Sequence, residues 1–516
     1  MPHNVESSPL RLSSQTLPEI RERNVQVYDY DRASLKHGIV HVGVGGFHRA
    51  HLAFYIDRIL SQLKADNWAI CGVGLTPWDS AMRDALVPQD TLYTLLERGA
   101  AGTTARVIGS ITDYIFAPGN SEQVIAKMAH ADTHIVSMTI TESGYFYNEN
   151  THELMKDHPD IKADLAADEA NPKTIFGYLF EAQSRRRAAG LKPFTVLSCD
   201  NMQKNGSITR SMLLSFARLK DPAVADWLAE HGAFPNSMVD RITPRTSDSD
   251  KALLAADFGV EDAWPVVTEP FTQWVLEDRF SDGRPPLDKV GVQVVQSVHD
   301  VEQFEMHKLR LLNGSHSAIA YLGFLAGFKY VDEVLADPLW HRYVSTMMHT
   351  EVKPLLPAIP GVDLDQYCET LMERFSNPTL KDEIARLCIG GSGKLPQFIM
   401  PSIAEQIMRA SAQTAAGKPV DAPLRCLTLA VAGWFRYLSG VDEQGQNYTI
   451  KSIDEPIIDD LQPLAREGGR APTKLIGIRH LFGDDLRGDE RFMRELTDAL
   501  ASLYDRGAKV TLADTV

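Results

Sequence analysis

The segment Ile39-Val-His-Val-Gly43-Val-Gly45-Gly46-Phe47-His48 carries the strongest fold signal in the chain. A run rich in β-branched residues ends in closely spaced glycines, and a helical pattern follows from about Arg49 to Leu63. A glycine-rich turn between a strand and a helix is the context in which backbone N–H groups bind a pyrophosphate. The segment therefore predicts a Rossmann-type domain that binds a dinucleotide.

The residues of this turn have separate expected roles. Gly43 would permit the tight turn, and Gly45 would let the backbone approach the phosphates. The third position of the usual Gly-x-Gly-x-x-Gly pattern is His48, so the match is incomplete. The group His48, Arg49 and His51 could also suggest metal ligands, but packing at the helix start and contact with a phosphate are the favoured interpretations.

Asp79 follows the second predicted strand and is the candidate for ribose recognition. A carboxylate there can accept hydrogen bonds from both ribose hydroxyls of NAD and repels a 2′-phosphate. It lies further along the chain than the usual spacing of about 20 residues, and an N-cap of the next helix is the alternative interpretation. Arg83 is near enough to allow some tolerance of NADP, so NAD is the expected coenzyme and NADP the less favoured one. The residues predicted to bind it are Gly43, Gly45, Gly46, Phe47, His48, Arg49 and Asp79.

The order of predicted elements gives the fold class. Strands alternate with helices through the first part of the chain, which predicts βαβ units and a parallel sheet. Helical periodicity dominates from about residue 300. We therefore predict an α/β protein with a Rossmann-type N-terminal domain, residues 1–298, and a mainly α-helical C-terminal domain, residues 299–516. The strands are expected at 25–28, 39–44, 68–75, 92–97, 105–111, 135–141, 194–199 and 292–295, the C-terminal helices at 302–328, 330–353, 366–375, 380–388, 402–415, 421–439 and 489–506, and a loop at 390–393.

The composition excludes several functional classes. The 516 residues carry a formal charge of −16, which argues against nucleic acid or an anionic membrane surface as a partner. Five scattered cysteines without a CxxC pair are typical of reduced thiols in a cytoplasmic protein. No HExxH motif occurs, and no metal is predicted. The polar, Ser-rich start lacks the apolar core of a secretory signal, and the longest apolar stretches are too short to span a bilayer.

A second cluster of polar residues lies in Phe304-Glu-Met-His-Lys308-Leu-Arg-Leu-Leu-Asn313-Gly-Ser-His316. On a regular helix with about 100° per residue, Asn313 would lie about 140° from Lys308, with His316 between them. A base, an amide donor and an imidazole on one side can hold an alcohol, take its proton and stabilise the oxyanion. The alternative is an amphipathic helix with polar residues at its margins.

Three further polar groups follow predicted strands. Glu142 follows the strand at 135–141, Asp200 and Asn201 follow the strand at 194–199, and Asp240 with Arg241 follows the segment 234–239. In open parallel sheets, ligands bind outside the carboxyl ends of the strands. Any one of these residues could simply be a turn or cap residue, but together with the Lys308 segment they favour a common site.

The chain resembles the polyol-specific long-chain dehydrogenases, and within them the mannitol 2-dehydrogenase group. The matching segments run in order along nearly the whole chain: GVGGFHRAH (43–51), ICGVGL (70–75), ITESGY (140–145), SCDN (198–201), MVDRITP (238–244), KLRLLNGSH (308–316), RFSN (374–377) and GSGKLPQF (391–398). Ser143 stands where close relatives can carry Gly.

The resemblance implies a metal-independent enzyme with its active site between the two domains. It implies Lys308 as general base, Asn201 and Asn313 as the oxyanion hole, His316 as the residue that orients substrate, and Glu142 as a relay of the proton to solvent. Asp240, Arg386 and Lys394 would contact the hydroxyl chain of the substrate. Because a free lysine is protonated at pH 7, burial would have to lower the pKa of Lys308.

The implied reaction is oxidation of D-mannitol to D-fructose with NAD, by a cytoplasmic monomer. D-Arabinitol 4-dehydrogenases and hexuronate reductases are alternatives within the same chemistry, since Arg386 and Lys394 could also bind a carboxylate. A non-catalytic dinucleotide sensor is the alternative from a different class. It would explain the glycine turn but not the group of Lys308, Asn313 and His316.

Overall fold

The computed structural model describes residues 8–148, 151–166, 171–450, 457–483 and 485–516. The chain divides into two compact units, one ending at Glu302 and one beginning at Gln303. The strands are β1 (Leu10–Arg11), β2 (Gln26–Val27), β3 (Ile39–Val42), β4 (Ile70–Gly74), β5 (Tyr93–Gly99), β6 (Gly102–Ile108), β7 (Ile111–Phe116), β8 (Ile135–Met138), β9 (Tyr147–Asn148), β10 (Glu153–Leu154), β11 (Thr195–Ser198), β12 (Ser237–Asp240), β13 (Val260–Glu261), β14 (Val266–Thr268), β15 (Gln273–Glu277) and β16 (Gln293–Val295).

The first unit is built around a five-stranded parallel sheet of order β11-β8-β3-β4-β7. The α/β class with a Rossmann-type N-terminal domain is confirmed. The helices of this unit are α1 (Leu17–Arg21), α2 (Gly46–Ala50), α3 (Leu52–Leu63), α4 (Ser80–Leu86), α5 (Ser121–Ala129), α6 (Pro159–Ala166), α7 (Ile175–Ala188), α8 (Asn205–Lys220), α9 (Pro222–His231) and α10 (Asp248–Phe258), with short 3₁₀ turns that include Pro77–Asp79 and Glu142–Tyr145.

Both faces of this sheet are covered, which explains why its strands are apolar without alternation. Val136 and Val196 lie in the core that α5, α7 and α8 complete on one face. Ile39 and Ile135 lie in the core that α3 completes on the other. The strands therefore leave only their ends for polar chemistry.

Two smaller sheets were not separated from the main sheet by the sequence. One has the order β14-β5-β6-β2, and its strands β5 and β6 form an antiparallel hairpin. The other has the order β12-β15-β16. The single strand predicted at 105–111 is wrong, because the chain leaves β6 after Ile108 and enters β7 of the main sheet at Ile111.

The second unit is mainly helical, as predicted. Its central helix α19 packs against α12 and α24 in a core that includes Trp434 and Trp340. The helices from Val298 onward are α11 (Val298–His307), which spans the unit boundary, α12 (Gly314–Leu325), α13 (Val331–Ala336), α14 (Pro338–Thr346), α15 (Leu364–Phe375), α16 (Ile384–Leu387), α17 (Gly391–Phe398), α18 (Met400–Ala415), α19 (Arg425–Leu438), α20 (Ile458–Gly468), α21 (Thr473–Ile476), α22 (Arg479–Phe482), α23 (Asp485–Gly488) and α24 (Glu490–Thr515, kinked at Gly507), with π-helices at Lys308–Asn313 and Met347–Val352.

Two helix predictions and one loop prediction in this unit need correction. The helix predicted at 302–328 is interrupted by the π-helix Lys308–Asn313. The helix predicted at 330–353 is broken where Pro338 begins α14. The loop predicted at 390–393 is wrong, since α17 begins at Gly391. A methyl group at Gly391 would lie 2.3 Å from Nε1 of Trp434, so this glycine serves close packing and not chain flexibility.

A buried carboxylate caps the central helix of this unit. Glu351, 2% exposed, accepts hydrogen bonds from the backbone N–H groups of Cys426 (2.9 Å) and Leu427 (2.8 Å) at the start of α19. Burial raises the pKa of Glu351 to about 7, although these two donors act in the opposite direction. Among the described residues, no helix is both long and apolar enough to cross a bilayer.

Candidate functional site

The glycine turn lies at the carboxyl end of β3, between β4 and β8. Gly43 has φ +89°, and a methyl group there would lie 2.1 Å from the carbonyl oxygen of Thr139. Gly45 is exposed, and the nearest atom to an added methyl group would be Gly43 O at 4.0 Å. The turn thus has a tight inner side and an open outer side, which fits the pyrophosphate of a dinucleotide approaching the backbone before α2.

The side chains that follow the turn are engaged inside the protein. His48 is 1% exposed and stacks on His41 with ring centroids 3.3 Å apart, and Phe47 stacks on His51. Arg49 is fully buried, where its guanidinium donates to Trp264 O (2.5 Å) and Gly45 O (3.3 Å). Burial lowers the pKa of Arg49 to about 10. These residues can therefore contribute to coenzyme binding through their backbone atoms or by supporting the turn.

Asp79 lies in the 3₁₀ turn that follows β4. Its Oδ2 accepts hydrogen bonds from the backbone N–H (2.8 Å) and the hydroxyl (2.9 Å) of Thr76. The Asp79 side chain therefore binds Thr76, three residues before it, and does not serve as the side-chain N-cap of α4. Gly74 is required here, because a methyl group would lie 2.2 Å from the Tyr114 hydroxyl and 2.7 Å from Cβ of Asp79.

The surroundings of Asp79 bear on coenzyme choice. Trp78 is 89% exposed beside it. Arg83 forms an ion pair with Asp84 at 2.8 Å, and its guanidinium lies 4.5 Å from the centre of the Phe116 ring. The charge of Arg83 is thus partly compensated, which makes it a weaker partner for a 2′-phosphate.

Two predicted residues follow neighbouring strands of the main sheet. Glu142 comes after β8 and Asn201 after β11, and both are exposed. The glycine turn follows β3, the next strand in the sheet. Because the three strands are parallel, these residues lie along one edge of the sheet, as the sequence predicted.

Asp200 joins the ends of β8 and β11. Its carboxylate accepts hydrogen bonds from the backbone N–H groups of Ile140 and Thr141, each at 3.0 Å. The Tyr145 hydroxyl also donates to it, at 2.5 Å. Thr141 has φ +62° and ψ 165°, a conformation that costs a residue other than glycine about 1–3 kcal/mol. The sequence placed Asp200 at a strand end but gave no reason to assign it a role.

Asp240 ends β12 in a smaller sheet and is 3% exposed. Asn205 connects this sheet with the end of β11, because its Nδ2 donates both to Asp200 O (3.1 Å) and to Ser237 O (2.8 Å). Arg241 turns inward, where it donates to Ala50 O and Glu269 O. Arg241 therefore belongs to the interior.

In the second unit, Lys308 and Asn313 begin and end a π-helix. The N–H of Gly314 donates to Leu309 O, so the turn is one residue wider than an α-helical turn. On such a turn, residues five apart are separated by a smaller angle around the helix axis than the roughly 140° expected on a regular helix. A π-turn thus gives the predicted placement of both residues on one side a different geometric basis from a regular helix, and π-turns are frequent at functional sites.

The three polar residues of this segment differ in their surroundings. Lys308 is 7% exposed. Asn313 is half-buried, and its Oδ1 has no hydrogen-bond partner among the described residues. His316 is half-buried, with its ring centre 4.7 Å from that of Phe375. His307 and Arg310 are occupied elsewhere, by Pro357 O (2.7 Å) and by Glu405.

Arg386 and Lys394 lie on helices next to this segment. Helix α16 packs against α12, and α17 packs against both α12 and the π-helix. Arg386 is held by Asp382 through three hydrogen bonds of 2.6–2.9 Å, and Nζ of Lys394 donates to Leu387 O at 3.1 Å. Asp382 lies just before α16 and was not predicted, although an acid four residues before Arg386 is a recognisable pair in the helix predicted at 380–388.

Side chains suited to a metal ion do not cluster within the part of the chain that the structure describes. All five cysteines are buried, free thiols.

Comparison with known families gives two consecutive matches. Residues 37–289 match the mannitol dehydrogenase Rossmann domain, and residues 300–504 match the mannitol dehydrogenase C-terminal domain. The chain belongs to the mannitol dehydrogenase family. The resemblance to the polyol-specific long-chain dehydrogenases found in the sequence is thereby confirmed.

Individual family members are similar over the whole chain. A mannitol 2-dehydrogenase of Phaeosphaeria nodorum is 61% identical over 512 residues, covering 99% of this chain and 87% of its own. One of Aspergillus terreus is 60% identical over 510 residues, covering 98% and 99%. Among solved structures, Pseudomonas fluorescens mannitol 2-dehydrogenase in ternary complex with NAD and D-mannitol is 42% identical, with a TM-score of 0.87 and coverage of 98% and 99%. A substrate-free D-sorbitol dehydrogenase is 36% identical, with a TM-score of 0.83 and coverage of 97% and 100%.

Proposed function

We propose that this protein is an NAD-dependent polyol dehydrogenase that interconverts D-mannitol and D-fructose without a metal ion. The observation that carries the proposal is the family match across both units. It is supported by relatives of about 60% identity named mannitol 2-dehydrogenase and by the similar enzyme solved with NAD and D-mannitol. The open glycine turn at Gly45 and the buried Lys308 fit this chemistry.

The coenzyme would be held by the first unit. Gly43, Gly45 and Gly46 would present backbone N–H groups to the pyrophosphate. Asp79 would accept hydrogen bonds from the adenosine ribose, with the carboxylate oriented by Thr76. When bound, NAD supplies the acceptor for the hydride that leaves the substrate carbon.

The proton of the alcohol would be handled by Lys308. In its neutral form the Lys308 amine accepts the hydroxyl proton as the alcohol is oxidised, and in the reverse direction the ammonium returns it. The amides of Asn201 and Asn313 would donate to the developing alkoxide, which stabilises partial charge without fixing the proton. His316 would orient the substrate, and the exposed carboxylate of Glu142 would pass the proton to water.

The hydroxyl chain of the substrate would be bound by Asp240, Arg386 and Lys394. The pairing of Arg386 with Asp382 compensates its positive charge, which favours a neutral polyhydroxyl chain over the carboxylate of a hexuronate. A fixed guanidinium still offers N–H donors to hydroxyl oxygens. This arrangement therefore argues for a polyol dehydrogenase and against a hexuronate reductase.

The test is NADH formation by the purified protein with NAD and D-mannitol, D-arabinitol or D-sorbitol, in the presence of EDTA. We expect D-mannitol to be oxidised fastest and EDTA to have no effect. Loss of activity in EDTA that added metal restores would contradict the metal-free mechanism. NADH binding without turnover of any of these polyols would indicate a hexuronate reductase or, if hexuronates are not reduced either, a sensor.

A further inference from the structure

Asp200 is the centre of a closed ring of hydrogen bonds in the first unit. Oδ2 accepts from the N–H of Ile140 and Oδ1 from the N–H of Thr141. The chain then makes the 3₁₀ turn Glu142–Tyr145 and returns to the same carboxylate through the Tyr145 hydroxyl. Glu142 is thus the first residue of a short loop whose two ends are both fixed on Asp200.

The conformation at Thr141 depends on this ring. With φ +62° and ψ 165°, Thr141 occupies a region that is essentially restricted to glycine. Such a conformation persists only where the surroundings fix it. The hydrogen bond from the Thr141 N–H to Asp200 fixes the backbone immediately before Glu142. Asp200 therefore sets the direction in which the chain continues into Glu142.

Asp200 also holds the turn that carries Asn201. Its carbonyl oxygen accepts from the N–H of Met202 (2.9 Å) and from Nδ2 of Asn205 (3.1 Å). Its own N–H donates to the Ser198 hydroxyl at 3.3 Å, and that hydroxyl also contacts Tyr145 at 2.6 Å. The backbone on both sides of Asn201 is therefore constrained by the same residue that constrains Glu142.

We propose that Asp200 and Tyr145 are a positioning pair that sets the amide of Asn201 and the carboxylate of Glu142 relative to each other for the reaction. The proposal rests on the function proposed above and deepens it. Asp200 is 8% exposed and Tyr145 is fully buried, so neither is expected to touch the substrate. They act through two exposed residues, Asn201 directly after Asp200 and Glu142 three residues before Tyr145.

A second carboxylate in the same unit provides a matched control. Asp164 is 3% exposed, and it accepts hydrogen bonds from two consecutive backbone N–H groups, those of Lys173 and Thr174 (both 2.8 Å), and from the Thr174 hydroxyl (2.7 Å). This is the same pattern that Asp200 shows. Asp164 lies on α6 and binds the backbone just before α7, so its hydrogen bonds stabilise the fold without fixing either Glu142 or Asn201.

The experiment compares Asp200→Asn, Tyr145→Phe and Asp164→Asn with the wild type. An asparagine presents an N–H₂ group to one of the backbone donors, so both Asn variants lose the same kind of hydrogen bond. The readouts are thermal unfolding, NADH affinity, kcat and KM for D-mannitol, and the primary isotope effect with substrate deuterated at the oxidised carbon. Tyr145→Phe removes one hydroxyl and keeps the ring, which keeps the test valid if Asp200→Asn does not fold.

We expect Asp200→Asn to lower kcat about 10- to 100-fold, because a small misplacement of reacting groups has an effect of that size. Tyr145→Phe should lower kcat less, the isotope effect should rise in both, and NADH affinity should change little. Asp164→Asn should lower thermal stability while kcat and the isotope effect stay at the wild-type values.

Two outcomes would overturn the inference while leaving the proposed function intact. One is wild-type kcat in a folded Asp200→Asn or, if that variant does not fold, wild-type kcat in Tyr145→Phe. The other is a loss of kcat in Asp164→Asn equal to that in Asp200→Asn, which would mark a general effect of stability. A wild-type enzyme that oxidises no polyol would overturn the proposed function, and this inference with it.

Discussion

Arg310 binds Glu405 through two hydrogen bonds, of 2.9 and 2.6 Å. Arg310 lies inside the π-helix, between Lys308 and Asn313, and Glu405 lies on α18. Arg310 is 8% exposed, so the pair is partly shielded from water. The wide turn is thereby tied to a helix that begins almost one hundred residues later in the chain.

Glu405→Gln is expected to weaken this tie and to lower the free energy of unfolding by about 1–2 kcal/mol. It should also lower kcat, because the spacing of Lys308 and Asn313 depends on the turn. Urea unfolding and polyol oxidation measure the two effects. Glu467→Gln is the control, since its ion pair with Lys474 is exposed and such pairs contribute about 1 kcal/mol or less. Equal effects of the two substitutions would contradict the proposed tie.

Lys308→Ala is expected to slow mannitol oxidation by about 10²- to 10⁴-fold, the usual contribution of a general base. In the wild type, oxidation should rise with pH as the amine loses its proton, and this rise should be absent from the variant. Rates of NADH formation between pH 6 and 10 test both points. Lys418→Ala, at an exposed position, is the control. An unchanged rate and pH profile in Lys308→Ala would remove Lys308 from the mechanism.

Asn201→Ala and Asn313→Ala are each expected to reduce kcat by about 10²-fold or more, because each removes one donor to the alkoxide. The exposed Asn67 provides the control substitution Asn67→Ala. Steady-state kinetics separate kcat from KM. If either variant changes only KM, the residue binds the ground state and does not stabilise the transition state.

Gly43→Ala and Gly45→Ala should behave differently. Gly43→Ala combines a positive φ with a contact of 2.1 Å to Thr139 O, so we expect lower stability and weaker NADH binding. Gly45 has φ −92° and room for a methyl group, so Gly45→Ala should fold normally and still bind NADH more weakly. Gly119→Ala, with φ +81° but no neighbour within 4 Å, controls for backbone strain alone. NADH affinity of Gly45→Ala equal to the wild type would argue against phosphate binding at this turn.

Glu351 should make stability depend on pH. Burial raises its pKa from 4.5 to about 7 in the folded protein, so the folded state retains the proton that the unfolded state loses. The stability from this group is complete below about pH 4.5 and decreases as the pH rises towards 7, by about 3 kcal/mol. Glu351→Gln cannot titrate, so its unfolding free energy should fall less over this range. Asp57, with a pKa raised to about 6, titrates in both proteins. Parallel curves for the two proteins would exclude this role of Glu351.

Much of the fold could be predicted because its signals are local. The β-branched strand, the glycine turn and the following helix lie within about thirty residues of one another, and the structure places them as expected. The strand ends likewise place Glu142 and Asn201 on one edge of a parallel sheet. Each of these inferences needs only nearest neighbours in sequence and the general topology of parallel sheets.

The features that escaped prediction depend on distant parts of the chain. The π-helix breaks the periodicity of its own sequence, and Arg310 inside it binds Glu405 on α18. The glycine-rich sequence at Gly391 was predicted to be a loop, because the close packing of Trp434 against this glycine is not visible in the local sequence. Asp200 looks like a turn residue because the N–H groups that it binds lie about sixty residues earlier. In each case tertiary contacts override the local preference.

The π-helix also determines how an insertion or deletion would affect the relative positions of Lys308 and Asn313. A π-turn accommodates one extra residue, while the side chains of the flanking helices keep their angular positions around the helix axis. Lys308 and Asn313 are five residues apart in the chain, yet they take the places that residues four apart take on an α-helix. Deleting one of the residues between them would let the turn tighten and keep the pair on one side, whereas a deletion within α12 would rotate all that follows by about 100°. A homologue with Lys-x-x-x-Asn in place of Lys-x-x-x-x-Asn can therefore present the same two groups.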